Sequence, residues 1–196
     1  AYALRRYGIE VRELRELYPF IGPPLSDSFE RYYGFSHEQA AEAIEVYREY
    51  FRDTGIFENT VYPGVPEMLE SLRGRTLAVA SSKPEVFVRR ILAHFGLERY
   101  FAEAVGSELD GRRVRKDEVI AEALARCRAE PQSTVMVGDR EHDVLGAARR
   151  GLPCVGVTYG YGSRAELERA GASALADSPE ELGRILREMT RKGLQK

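Results

Sequence analysis

A doubly wound parallel α/β sheet preceded by a helical segment is the fold class this sequence predicts, and three observations predict it. From Pro63 onward, short apolar runs rich in β-branched residues alternate with stretches of helical periodicity. The runs are near-continuous in hydrophobicity rather than alternating, which suits strands covered on both faces, and the stretches between them supply right-handed crossover helices. Ahead of Pro63 the pattern is helical throughout. With 196 residues, 43% of them hydrophobic, the chain can bury one core and a smaller insertion.

Residues 1 to about 62 read as a helical domain. "AYALRRYGIEV" sets Ala3, Leu4 and Tyr7 on one face, with Gly8 as its stop. Ser36 and Gln39 fit a capping box ahead of "EQAAEAIEVYREYF", where Ala40, Ile44, Tyr47 and Phe51 share a face and Gly55 ends the pattern. Between these helices lies "FIGPPL": Phe20, Ile21, Gly22, Pro23, Pro24 and Leu25. Its Gly-Pro-Pro cannot continue a helix, so it is either a stiff connector or a specificity loop.

Residues 63–196 read as the α/β core domain. "VPEMLESLRG" leads to a strand over 76–81, "PEVFVRRILAHFG" to one over 101–106, "DEVIAEALARC" to one over 134–138, and "EHDVLGAARRG" to one over 153–160. "ASALADSPEELGRILREM" adds a short strand and a helix capped near Ser178.

The 29 basic and 31 acidic residues are spread along the chain, for a formal charge of −2, which leaves no basic footprint for a nucleic-acid partner. No apolar run reaches the roughly 18 residues a membrane span needs, and no secretory signal is visible. Cys127 on an apolar helix face and Cys154 in a strand lack metal-ligand spacing and read as buried thiols. These features predict a soluble cytoplasmic protein, monomer or homodimer.

In a sheet of this kind ligands sit beyond the carboxyl ends of the strands. Strand 76–81 ends in Ser81-Ser82-Lys83-Pro84 at a helix start, where free N–H groups favour an anion; the plain alternative is a capping box between Ser82 and Glu85. Lys116 opens a helix after strand 101–106. A cation there opposes the helix dipole, so either an anion lies nearby or the lysine is merely solvated. Strand 134–138 delivers Asp139 and Asp143 one helical turn apart, placed to hold a hard cation through oxygen or, more simply, to act as N-cap and first-turn acid.

Hydroxyl, lysine and acid pair, in that order on successive strand ends, resemble the haloacid dehalogenase superfamily of phosphohydrolases, and most closely its phosphoglycolate-phosphatase-like branch. "LAVASSKP" resembles the family's second motif, Lys116 in "RVRKDEVI" its third, and "VMVGDREHDVLGAARRG" its fourth. The resemblance implies a Rossmann-like core with an inserted helical cap over residues 1–62, and "FIGPPL" looks like the cap loop that selects substrate. It implies that Ser81, Ser82 and Lys116 bind phosphate, that Ser81, Lys116 and Asp139 serve catalysis, and that Asp139 and Asp143 hold Mg²⁺. The implied activity is hydrolysis of a small phosphorylated metabolite through an aspartyl-phosphate.

The family's first motif, an apolar strand ending in Asp-x-Asp-Gly-Thr, has no match. "ELDGR" at 108–112 offers Glu108 where the nucleophile belongs, and "RDTG" at 52–55 has no second acid. The motif's place is immediately before Ala1. The resemblance therefore implies a first strand with both catalytic aspartates upstream of Ala1, or supplied by another chain, and an inactive protein without it. A phosphomutase would share every motif present; a dehalogenase would leave Asp139 and Asp143 without a task; and a non-catalytic phospho-ligand binder would need no first motif at all.

Overall fold

The computed structural model describes residues 1–193; residues 194–196 of the expected core domain lie outside the described residues. The chain divides into two compact units, Ala1–Thr60 and a second that begins at Val61.

The first unit is helical: α1 (Tyr2–Arg6), a 3₁₀ segment (Leu14–Phe20), α2 (Leu25–Tyr33) and α3 (His37–Asp53). Ser36 caps α3 as its sequence predicts, its hydroxyl accepting from Gln39 N at 3.2 Å while Gln39 Oε1 accepts from Ser36 N at 2.9 Å. Gly34, at φ 66°, ends α2 in the left-handed conformation that only glycine takes without strain. Leu4, Phe29, Ala40 and Ala43 form the core. Phe20 and Leu25 pack against it, with the Phe20 ring edge-on to Phe29 at 5.3 Å. The expected loop "FIGPPL" is thus shorter than its six residues: its ends are core, and Ile21 to Pro24 make the crossing.

The second unit runs α4 (Val65–Ser71), β1 (Ala78–Pro84), α5 (Glu85–His94), β2 (Glu103–Ser107), α6 (Lys116–Cys127), β3 (Met136–Gly138), α7 (Glu141–Arg149), β4 (Cys154–Val157), α8 (Arg164–Ala170), β5 (Ala174–Ala176) and α9 (Pro179–Gly193). Every strand pairing is parallel, as near-continuous apolar strands joined by helices require. Pairing is divided between two sheets, β1-β2 and β3-β4-β5. Among the described residues no strand joins β1 to β3. The two sheets share a layer of helices nonetheless, because Ile120 of α6 and Val144 and Ala147 of α7 form a cluster against which both Ala80 of β1 and Met136 of β3 pack.

Burial follows the division. All of β4 and nearly all of β2 are buried, whereas β1 and β3, which flank the break, are only partly covered. Cys154 lies buried in β4, and burial pushes its thiol up to about 12; Cys127 at the end of α6 is half-buried. No described helix is long and apolar enough to cross a membrane.

Candidate active site

The carboxyl ends of β1 and β3 and the start of α6 bring the predicted residues together. β1 leaves its ladder just where the hydroxyl pair stands: Ala80 pairs with Val105 and Pro84 with Ser107, so Ser81, Ser82 and Lys83 face the single residue Gly106. Ser81 Oγ accepts from Lys83 N at 3.2 Å, leaving its own O–H free to donate. Because Lys83-Pro84 stays extended, α5 starts only at Glu85, with Pro84 as N-cap, and the alternative capping box between Ser82 and Glu85 does not form. Glu85 instead meets Arg89 at 2.9 Å and Arg126 at 3.0 Å.

Lys116 has the anion its position called for. Its ammonium lies 2.8 Å from Asp143 Oδ1 and donates to the Ala80 carbonyl of β1 at 3.1 Å. The two side chains are 14% and 9% exposed, so the pair is shielded from solvent. The lysine stem crosses α7 where Gly146 stands: a Cβ there would lie 2.7 Å from Lys116 Cγ. One side chain therefore ties the β1 strand end to the β3–α7 turn.

Asp143 is occupied on its other side too. Its Oδ2 accepts from Asp139 N and Arg140 N, both at 3.1 Å, which closes the first turn of α7 as a capping box. This is the plain role foreseen for a first-turn acid, although the N-cap is Arg140 and not Asp139. A cation at Asp143 would compete with Lys116 for Oδ1.

Asp139 is held differently. Tyr161 N donates to its Oδ2 at 2.8 Å, and two glycines flank that contact. A Cβ at Gly160 would sit 2.4 Å from Asp139 Cβ, and one at Gly162 only 2.0 Å from the Asp139 carbonyl oxygen. The Gly160-Tyr161-Gly162 turn thus lies directly on Asp139, and its bond to the carboxylate uses Oδ2 and not Oδ1. Sequence reasoning missed this contact by carrying the strand to 160, when β4 stops at Val157; the spaced glycines of "YGYG" were the available signal. It also missed Glu166 of α8, which accepts from Arg140 Nε at 2.8 Å and Glu141 N at 2.9 Å and fastens the start of α7.

Among the described residues no cluster of three or more His, Cys, Asp or Glu side chains is placed to hold a metal ion. The donor chemistry at Asp139 still suits Mg²⁺, a hard cation that commonly takes one or two carboxylates and fills its other positions with water and substrate phosphate.

Over residues 1–157 the sequence matches the haloacid dehalogenase-like hydrolase family. The chain belongs to that family. The chain is 50% identical over 168 residues to a 5′-nucleotidase of Pseudomonas aeruginosa, covering 85% of this chain and 76% of that protein. It is 43% identical over 163 residues to the tyrosine-protein kinase PtkA of Mycobacterium tuberculosis, covering 82% of this chain but only 55% of the kinase. A phosphoglycolate phosphatase of Vibrio vulnificus is 30% identical over 164 residues, 83% of this chain and 72% of that protein. The crystal structure of a predicted phosphatase from Clostridium acetobutylicum superposes with a TM-score of 0.93 at 46% identity, over 95% of this chain and 88% of that one. Among haloacid dehalogenase-like hydrolases the chain falls in the phosphoglycolate-phosphatase-like branch, and its class is that of a phosphoric monoester hydrolase.

Proposed function

We propose that the complete protein is a Mg²⁺-dependent phosphatase that hydrolyses a small phosphomonoester through an aspartyl-phosphate. The observation that carries this reading is Lys116, a shielded ammonium shared between the β1 strand end and Asp143. An ammonium so placed neutralises anionic charge arriving between the two strand ends, which is what phosphoryl transfer demands of a protein.

Each residue then has a task. Ser81 donates its hydroxyl to a phosphoryl oxygen, with Ser82 beside it in the same bend. Lys116 offsets the charge of phosphate and nucleophile, and Asp143 holds that lysine in place. Asp139, fixed by the turn at Tyr161, presents an oxygen to the cation. Mg²⁺ bound there would screen phosphate charge and help to orient the ester.

The nucleophile and the general acid would arrive on a strand inserted between β1 and β3, where, among the described residues, each strand has an unpaired edge and only partial cover. The family's first motif belongs on that strand. The helical unit Ala1–Thr60 corresponds to the family's cap, and Ile21 to Pro24 are its candidate specificity residues. Nucleoside 5′-monophosphates join phosphoglycolate as substrate candidates, a choice supported by the 50% identity to a 5′-nucleotidase.

A phosphate-release screen on the full-length protein tests this, using nucleoside 5′-monophosphates, 2-phosphoglycolate and sugar phosphates with and without chelator. Release from at least one class, abolished by chelation and restored by Mg²⁺, is the expected result. Chelator-insensitive release, or transfer to a sugar or tyrosine hydroxyl with no release to water, would overturn it.

A further inference from the structure

The bend at Ser81 to Lys83 is not explained by its own residues alone. Three residues of β1 against one of β2 make a bulge, a device that re-aims side chains at the rim of a sheet and needs support from the partner strand. β2 supplies that support at two adjacent positions.

Ser107 Oγ donates to the Ser82 carbonyl at 2.9 Å, and Ser107, 3% exposed, is one of four buried polar or charged residues among the described ones. A buried hydroxyl needs such a partner, and the bulge in turn acquires a fixed carbonyl at its centre. Gly106 supplies room. A Cβ there would lie 2.4 Å from the Lys83 carbonyl oxygen and 2.5 Å from both N and Cα of Glu85. These are backbone atoms and cannot swing aside. Gly106 is not among the positive-φ residues, so close approach, and not backbone freedom, is what requires glycine.

We propose that Ser107 and Gly106 are positioning residues for phosphate recognition, acting through the Ser81–Lys83 bulge and touching no substrate themselves. This rests on the reading of Ser81 as a phosphate ligand.

The test is competitive inhibition of the full-length enzyme by inorganic phosphate and by orthovanadate, with thermal midpoints recorded in parallel. Ser107→Ala should raise both inhibition constants about fivefold, the scale of one hydrogen bond. Ser107→Thr, which keeps the hydroxyl, should stay within about twofold of wild type. The double variant Ser81→Ala/Ser107→Ala should bind phosphate no more weakly than Ser81→Ala alone, because a residue that acts through another has nothing left to act on. Unchanged inhibition constants in Ser107→Ala, or additive losses in the double variant, would overturn the proposal while leaving Ser81 in place. If Ser81→Ala itself binds phosphate like wild type, the reading of Ser81 fails and takes this inference with it. Should Ser107→Ala not fold, Ser107→Cys, close in volume but a weak donor, is judged by the same constants.

Discussion

A lysine at the first position of a helix is out of place unless an anion meets it, and that much could be read from Lys116 in the sequence. Its partner could not, since Asp143 lies on the next helix and a through-space pair leaves no local pattern. The structure separates the two acids that the sequence had grouped. Asp139→Asn keeps the shape at the Tyr161 contact and removes one charge from the proposed cation site. Turnover at low Mg²⁺ should fall by about two orders of magnitude or more with little change in thermal midpoint, and near-normal turnover would remove Asp139 from that role. Asp143→Asn should act on stability as well: it leaves the shielded Lys116 without its carboxylate, a loss on the order of 3 kcal/mol in denaturant unfolding. A titration is testable at Lys83, whose ammonium burial pushes down to about 8 from 10.5. A depressed lysine releases its proton earlier in the folded chain, so from about pH 8 to 10.5 the unfolded chain binds more protons and stability rises with pH, by at most about 3 kcal/mol. Calorimetry of Lys83→Met against wild type should show that rise lost in the variant.

At the scale of elements, the sequence located every strand but erred at the ends, and each error has a physical cause. The strand expected over 76–81 runs from Ala78 to Pro84 because the bulge keeps the backbone extended past the serines. The one expected over 153–160 stops at Val157 because Gly160 and Gly162 turn the chain onto Asp139. Capping signals divided the same way. Ser36 and Gln39 form their box with nothing competing for the backbone, whereas Pro84 delays α5 and denies Ser82 the same role. In the crossing between the 3₁₀ segment and α2, Ile21 and Gly22 are exposed, while Phe20 and Leu25 are committed to the core. Replacing Ile21, Pro23 or Pro24 by alanine should therefore change the ratio of rates among substrates by several-fold with under about 1 kcal/mol of destabilisation. Rates that scale alike for every substrate would mark the segment as a connector.

Across the whole molecule, α/β alternation was legible because helical and strand periods differ, but the division of the sheet was not, because pairing partners are set by topology and not by local pattern. Among the described residues β1 and β3 each present one unpaired edge with incomplete cover. A strand of ~5 residues seated there would add a ladder of hydrogen bonds at about 1 kcal/mol each and cover large side chains at roughly 1.5–3 kcal/mol apiece, comparable with the ~5–15 kcal/mol that holds a whole domain. Residues 1–196 expressed without any addition should therefore fail to give a folded monomer. Intact mass and native mass spectrometry of the same sample check this: a cooperative, monomeric species with only the mass of these residues would overturn it. The break also bears on the order of folding. β2 and β5 lie at the outer ends of the two sheets, and each sheet can zip from contacts close in sequence, but any strand that joins them must wait for β1 and then for β3, which follows the whole of α5 and α6. Such closure has high contact order and belongs late on the folding path, so the strand proposed to carry the chemistry would be the last part of the sheet to be secured.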